Sequence, residues 1–378
     1  MKIVADENIP FVSEAFASLG DVIVKKGREI APPDVSTADA LLVRSVTKVG
    51  ARLLEGSRVR FVGTATSGTD HVDKGYLASK GIAFFDAAGS NAVSVAEYVV
   101  AALLEYAFTT GCELKGKTLG IIGVGHVGTK VASMAEALGM ETLLNDPPRQ
   151  DQTGFNIFRP LEEIMQCDVI TLHVPLVTGG RWPTTRLAGE SFFSGLRDGA
   201  FIINTSRGEV LDEVFLKKAI VSGKTGFSCL DVWADEPGIS LDTLKMVSIG
   251  TPHIAGYSYD AKVRGTEVIY KALCGFLGRE ASWGAKEAIG SRGEKVIGLS
   301  NFPEQQAEGI LRSAVRHAYD IMADDRALRS GRDFDSLRRD YPLRREFSAH
   351  RVEAGKRRKE AETLFHLGFK DSCKPFSA

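Results

Sequence analysis

An apolar run, Thr118–Ile122, leads into Gly123-Val-Gly125-His-Val-Gly128, and a stretch with helical periodicity, Val127–Leu138, follows. This junction restricts the fold more than any other feature of the chain. Glycine at 123 permits a tight turn, glycine at 125 lets another molecule approach the backbone N–H groups, and glycine at 128 lets helix pack on strand. A helix that begins here offers partial positive charge at its N-terminus. Asp146 comes 18 residues beyond Gly128, at the end of the next β-rich run. That is near the ~20-residue spacing at which a carboxylate meets a ribose diol. Together these features predict a dinucleotide site lined by Gly123, Gly125, His126, Val127, Gly128 and Asp146. A carboxylate there repels a 2′-phosphate, which favours NAD over NADP. Arg149, three residues on, argues the other way.

The rest of the chain repeats this alternation. Strand candidates Lys2–Ala5, Val22–Lys25, Ala40–Val43, Arg60–Gly63 and Ile82–Phe85 are interleaved with helix-like stretches. Beyond the glycine turn come Glu141–Asn145, Asp168–Val174, Ala200–Asn204, Gly226–Val232 and Val247–Gly250. These runs are apolar on both faces, as in a parallel sheet covered by helices on each side. Ser90-Asn91 offers an N-cap to an amphipathic helix, Val93–Phe108, that reads as a bridge between two α/β layers. A second helix, about Asp260–Leu277, returns the chain to the first layer. Residues 278–303 read as a Gly- and Ser-rich linker, and the tail after it turns basic, with 16 Lys and Arg against 11 Asp and Glu over 311–378. A chain of 378 residues is long enough for two or three domains.

Three side chains far apart in sequence make chemical sense together: Arg207 in Ser206-Arg207-Gly208, Glu236 in Asp231–Pro237, and His253 in Thr251–Gly256. Each follows a predicted strand, at the end where α/β sheets present ligands. A guanidinium grips a carboxylate in two-pronged fashion, which lysine does less well. Imidazole exchanges a proton near neutral pH, and a carboxylate beside it favours its charged form. The set suits proton transfer coupled to hydride transfer at a hydroxyl-bearing carbon, with Arg207, Glu236 and His253 catalytic.

With Asp146, Asp212 and Pro252–Gly256, these motifs resemble the D-isomer-specific 2-hydroxyacid dehydrogenase family. Val43–Lys48, Phe61–His71, His253–Tyr257, Asp335–Tyr341 and Arg344-Arg345-Glu346 are similar to the branch that acts on a phosphorylated acid. The resemblance implies two doubly wound parallel-sheet α/β domains, a Rossmann NAD domain (93–255) inserted in a flavodoxin-like substrate domain (1–92 and 256–280). A C-terminal α+β dimerisation domain (281–378) completes it. It also implies NAD-linked oxidation of 4-phospho-D-erythronate to 2-oxo-3-hydroxy-4-phosphobutanoate in pyridoxal phosphate biosynthesis, by a cytoplasmic homodimer. Carried over by position, Pro175, Thr205, Ser206, Arg207, Asp231 and Gly256 join the glycine turn and Asp146 around NAD. Ser45, Thr66, Arg207 and Tyr257 contact substrate, with Arg44 or Lys48 adding charge at the phosphate. For the basic tail the favoured expectation is a solvated helical face with salt bridges, and a partner copy delivering Arg344 or Arg345 to the site is the alternative.

Composition excludes other classes. A net charge of −1 gives no pull toward nucleic acid or anionic membrane, and the tail aromatics Tyr341, Phe347, Phe365 and Phe369 read as core. The longest apolar stretch is interrupted by Glu97, which argues against a membrane span. Five scattered cysteines (112, 167, 229, 274, 373) have neither metal-ligand nor disulfide spacing and point to a reducing compartment. The residues alone leave open a different acid, such as 3-phosphoglycerate, and an NAD-sensing interaction protein of the same fold.

Overall fold

The computed structural model describes residues 1–372; Cys373 lies outside the described residues. The described residues form two compact units, one of residues 1–91 and 258–292, the other of residues 92–257 and 293–372.

In the first unit, β1 (Lys2–Asp6), β2 (Asp21–Lys25), β3 (Ala40–Val43), β4 (Phe61–Thr64) and β5 (Ala83–Asp86) form a parallel sheet in the order β2-β1-β3-β4-β5. This is the flavodoxin-like order. The central strands β3 and β4 are buried throughout, which is why their sequences run apolar without alternation. Helix Tyr259–Phe276 begins where the Ser258 side chain accepts from the Ala261 N–H. Its Ile269, Tyr270 and Leu273 pack with Phe16 and Phe61. Gly265 lets it approach the strand closely, since an added Cβ would sit 2.8 Å from the Ala65 carbonyl oxygen.

The second unit holds β6 (Thr118–Ile122), β7 (Glu141–Asn145), β8 (Val169–Leu172), β9 (Ala200–Asn204), β10 (Thr225–Leu230) and β11 (Ile249–Gly250). They pair in parallel in the order β7-β6-β8-β9-β10-β11. A single bridge from Phe158 to Leu144 extends this sheet beyond β7. The order reverses between β6 and β8, the place where a doubly wound sheet opens a crevice at its strand ends.

Helix Ala92–Thr110 corrects one expectation. It is not amphipathic: 15 of its residues are buried. It is long and apolar enough to cross a membrane, yet 83% of its most apolar window lies inside the protein. The reason lies in the tail, whose arginines meet its acids. Arg312 pairs with Glu105 at 2.9 Å and Arg344 with Glu97 at 3.8 Å. Asp325 accepts from the Gly250 N–H at 2.8 Å, and Arg329 donates to the Leu244 and Val247 carbonyls. The described residues from Gly293, part of the segment 281–378 expected as a C-terminal domain, share a compact unit with the six-stranded sheet.

The stretch 278–303 is also more than a linker. It carries helix Ala285–Ile289 and β12 (Val296–Gly298), which heads a parallel sheet β12-β13-β14 with β13 (Arg351–Glu353) and β14 (Lys370–Asp371). Phe347 and Phe369 stack in the core beside this sheet, with ring centroids 4.6 Å apart.

Candidate active site

The glycine turn joins β6 to helix His126–Ala137. Gly123 has φ +89°, and a Cβ there would meet the His173 carbonyl oxygen at 2.6 Å. At Gly128 a Cβ would run into the Gly123 carbonyl. Gly125 differs: no protein atom lies within 4 Å of the position its Cβ would take. Two glycines thus serve the turn itself, and the third leaves its backbone open beside the exposed His126 and half-buried Val127. Asp146 closes the turn, with Oδ2 accepting from Val124 N at 2.8 Å and Oδ1 from Arg149 N at 3.0 Å. The Arg149 guanidinium donates to the Val124 carbonyl. A carboxylate at the tip of β7 and an open helix N-terminus fit a dinucleotide.

Sequence reasoning missed His173. Its Nδ1 meets Thr205 Oγ1 at 3.1 Å and its Nε2 meets Thr171 Oγ1 at 2.9 Å. Desolvation pushes it down to about 3, so the ring is neutral while it holds Thr205 beside the glycine turn. Its signal was slight, a lone histidine two positions before the exposed Pro175, whose carbonyl accepts from Thr184.

At the end of β9, Asn204 folds the arginine turn. Its Oδ1 accepts from Ser206 N and Oγ, and its Nδ2 donates to the Arg207 carbonyl at 2.9 Å. Ser206 is buried, and Arg207 is partly exposed. Gly208 packs directly on the Trp233–Ala234 backbone, where a Cβ has no room. The arginine turn is therefore seated on the loop that carries Glu236. Glu213, also missed, secures that loop by accepting from Ala234 N at 3.1 Å and Thr243 Oγ1 at 2.6 Å.

Asp231, at the end of β10, is 1% exposed. It accepts from Thr251 Oγ1 at 2.6 Å, Ile254 N at 2.7 Å and Ala255 N at 2.8 Å, while its carbonyl accepts from His253 N. These bonds hold the loop after β11, in which His253 has a left-handed φ of 56°. A non-glycine residue persists there only when its surroundings impose it. His253 Nδ1 lies 2.7 Å from Glu236 Oε2, and Glu236 Oε1 accepts from Trp233 N at 2.9 Å. Burial by itself would raise the Glu236 carboxyl. The hydrogen bond and attraction of His253, the Trp233 N–H and the nearby Arg338 outweigh it and hold the group below its ordinary range.

Gly256 and Tyr257 continue this loop, both half-buried. Three tail residues grip it. Arg344 Nη1 donates to the Ala255 carbonyl at 3.0 Å, Arg338 Nη2 donates to the Tyr257 hydroxyl at 2.9 Å, and Tyr341 meets the Tyr257 ring edge-on at 5.9 Å. This corrects the expected solvated face at Arg344 and speaks against its delivery by a partner copy. The side chain is 4% exposed and engaged within its own chain, also donating to Ser94 O at 2.7 Å. Arg345 is equally buried.

Ser45 and Thr66 belong to the first unit, just after β3 and β4, which are neighbours with Val43 opposite Thr64. Ser45 and Lys48 are exposed, and Arg44 is half-buried. Thr66 Oγ1 lies 2.8 Å from Thr64 Oγ1, which in turn meets His71 Nε2 at 3.0 Å.

Comparison with known proteins agrees with this geometry. The family model for the NAD-binding domain of D-isomer-specific 2-hydroxyacid dehydrogenases matches residues 91–255, and a domain of unknown function (DUF3410) matches 299–368. Erythronate-4-phosphate dehydrogenase of Salinibacter ruber is 46% identical over 93% of this chain and 94% of its own. That of Marinobacter nauticus is 44% identical over 98% and 99%. Among solved structures, D-lactate dehydrogenase from Aquifex aeolicus with NAD and lactic acid is 28% identical, with TM-score 0.60 over 73% of this chain and 95% of that one. NAD-bound 3-phosphoglycerate dehydrogenase of Entamoeba histolytica is 28% identical, with TM-score 0.63 over 74% and 95%. The chain belongs to the erythronate-4-phosphate dehydrogenase family, within the D-isomer-specific 2-hydroxyacid dehydrogenases.

Proposed function

We propose that the chain oxidises 4-phospho-D-erythronate at C2 to 2-oxo-3-hydroxy-4-phosphobutanoate with NAD, a step of pyridoxal phosphate (vitamin B6) biosynthesis. The observation that carries this reading is the His253–Glu236 pair at 2.7 Å on a loop system shared with Arg207, in a chain 46% identical to a relative of that name.

Bound NAD supplies the acceptor for the hydride that leaves C2. Gly123, Gly125, His126, Val127, Gly128 and Asp146, with Pro175, Thr205, Ser206, Arg207, Asp231 and Gly256, would hold it. Arg207 grips the substrate carboxylate and polarises the forming carbonyl. Glu236 accepts from His253 Nδ1, which fixes the ring and leaves Nε2 to take the C2 hydroxyl proton. In the reverse direction the imidazolium returns that proton, stabilised by the same carboxylate. Ser45, Thr66 and Tyr257 contact the acid. In this reading residues 1–92 and 256–280 are the substrate-binding part, 93–255 the NAD-binding part and 281–378 the dimerisation part of a cytoplasmic homodimer. Exposed Val296 and Leu343 in the last part are apolar surface suited to such pairing.

The test is an NADH absorbance assay of the purified protein with 4-phospho-D-erythronate beside 3-phosphoglycerate, with a keto-acid trap. Turnover preferring the first acid supports the reading, and preference for 3-phosphoglycerate replaces the substrate. Tight NAD binding with poor turnover of every acid would mark an interaction protein instead. Light scattering reads the dimer.

A further inference from the structure

Arg338 is a tail arginine with no carboxylate in ion-pair contact among the described residues, although the Glu236 and Asp231 charges are near enough to favour its charged form. It lies in helix Phe334–Arg339, whose first turn is fixed by Asp333 accepting from Ser336 N at 2.8 Å. Its guanidinium carbon is 5.6 Å from the Tyr257 ring centroid and 5.8 Å from that of Phe334. Nη2 donates to the Tyr257 hydroxyl at 2.9 Å, and Nε is buried without a hydrogen-bond partner. Among the described residues no carboxylate forms an ion pair with it. Arg312, Arg329 and Arg344 differ, each having one, in Glu105, Asp325 and Glu97.

A cation held between aromatic faces and bonded only to a neutral phenol is expensive to bury unless an anion joins it. A guanidinium with unengaged N–H groups suits a phosphate, which it meets with two parallel hydrogen bonds. Tyr257 lies four residues after His253 on the same loop, so an acid bound at His253 has Arg338 close behind the phenol. With Arg207 proposed for the carboxylate, the other anionic end of the substrate calls for a second cation, and Arg338 belongs to the same unit.

We propose that Arg338 receives the phosphate group of the hydroxy acid and so sets the preference for a phosphorylated substrate. This rests on the dehydrogenase reading above. It gives the C-terminal segment a role in recognition within its own chain, apart from any role in pairing two copies.

The experiment compares wild type, Arg338→Met, Arg338→Lys, Tyr257→Phe and the Arg338→Met/Tyr257→Phe double variant. Each is assayed with 4-phospho-D-erythronate and with D-erythronate, the latter read as substrate or competitive inhibitor. Binding of NADH, followed by its fluorescence, establishes that each variant is folded. Loss of a charge-assisted phosphate contact should raise KM for the phosphorylated acid roughly 10- to 100-fold in Arg338→Met. The D-erythronate constant should change less than about threefold on the same scale, with Arg338→Lys between. A loss on the phosphorylated acid should remain in the Tyr257→Phe background, although its size there need not be the same because the two side chains touch. Inorganic phosphate should compete with whichever acid the enzyme turns over, and its inhibition constant should rise in Arg338→Met. Equal losses on both acids overturn the proposal. So does an effect that vanishes in the Tyr257→Phe background, which would make Arg338 a positioning residue for the phenol. If wild type turns over only an unphosphorylated acid, the dehydrogenase assignment to a phosphorylated substrate fails. Inhibition by inorganic phosphate then still decides Arg338 by itself.

Discussion

His253 Nδ1 and Glu236 Oε2 stand 2.7 Å apart, although 17 residues and the strand β11 separate them along the chain. The carboxylate fixes the orientation of the ring, and general acid–base groups contribute roughly 100- to 10,000-fold to such reactions. His253→Asn should lower kcat within that range while NADH still binds. In Glu236→Gln the ring loses the carboxylate that accepts at Nδ1, and kcat should fall while NADH still binds. An unchanged kcat would mean that Glu236 does not act on His253.

The three glycines of the dinucleotide turn should separate in their effects. Gly128→Ala drives a Cβ into the Gly123 carbonyl and should lower Tm as well as NAD affinity. Gly125→Ala meets no protein atom within 4 Å and should melt as wild type does, while KM for NAD rises. Thermal scans with and without NAD check both, and an equal loss of Tm in the two variants would contradict the division of labour.

Asp146 accepts from Val124 N and Arg149 N and lies beside Arg149, a cation that argues for NADP. In the proposed mode of NAD binding, Asp146→Ser removes hydrogen bonds to the ribose and repulsion of a 2′-phosphate. A hydrogen bond to a charged group contributes about 1.5–3 kcal/mol, so the NAD/NADP preference should fall by about tenfold or more. The ratio of kcat/KM for the two cofactors measures it.

Asp324 accepts from both the Tyr319 and Tyr341 hydroxyls, at 2.9 and 2.8 Å. Burial pushes its carboxyl up to about 6, against those two bonds and the Arg344 charge. A folded-state value above the unfolded one means that the native protein binds the proton more tightly. The resulting stabilisation is complete below the unfolded value of 3.8 and is lost as pH rises through about 6. Urea unfolding between pH 4 and 6 should show a decline of at most about 1.4 kcal/mol per pH unit from this group. Asp324→Asn should remove that component, and parallel curves for the two proteins would refute it.

The buried pair of Arg344 and Glu97 ties the tail to the central helix. Breaking such a pair from one side strands a charge and costs about 3–5 kcal/mol. Arg344→Met should therefore lower stability to that extent in chemical denaturation. The exposed Lys26–Glu29 pair should contribute little on the same measurement.

Much of this molecule is readable in its residues. Uninterrupted apolar runs mark the central strands β3, β4, β8 and β9 because a parallel sheet covered on both faces has no polar side to record. Arg207, Glu236 and His253 stand out because each follows such a run. What escapes is whatever depends on distant partners. Glu97 reads as a polar interruption of an apolar helix until Arg344, far along the chain, is brought to it. Asn204, Glu213 and His173 act on backbone or on neighbouring threonines, and no spacing announces that. Residues 278–303 read as linker because a three-residue strand such as β12 leaves almost no periodic trace.

At Gly208 the turn bearing Arg207 rests on the backbone of Trp233 with no side chain between them. The loops of Arg207 and Glu236, proposed here as the anchor of the acid and the support of the proton carrier, are thus in direct backbone contact. A displacement of either loop is expected to carry the other along. Evolution of a new acid specificity on this frame has to work through side-chain replacements around the contact, because shifting one loop alone is sterically closed.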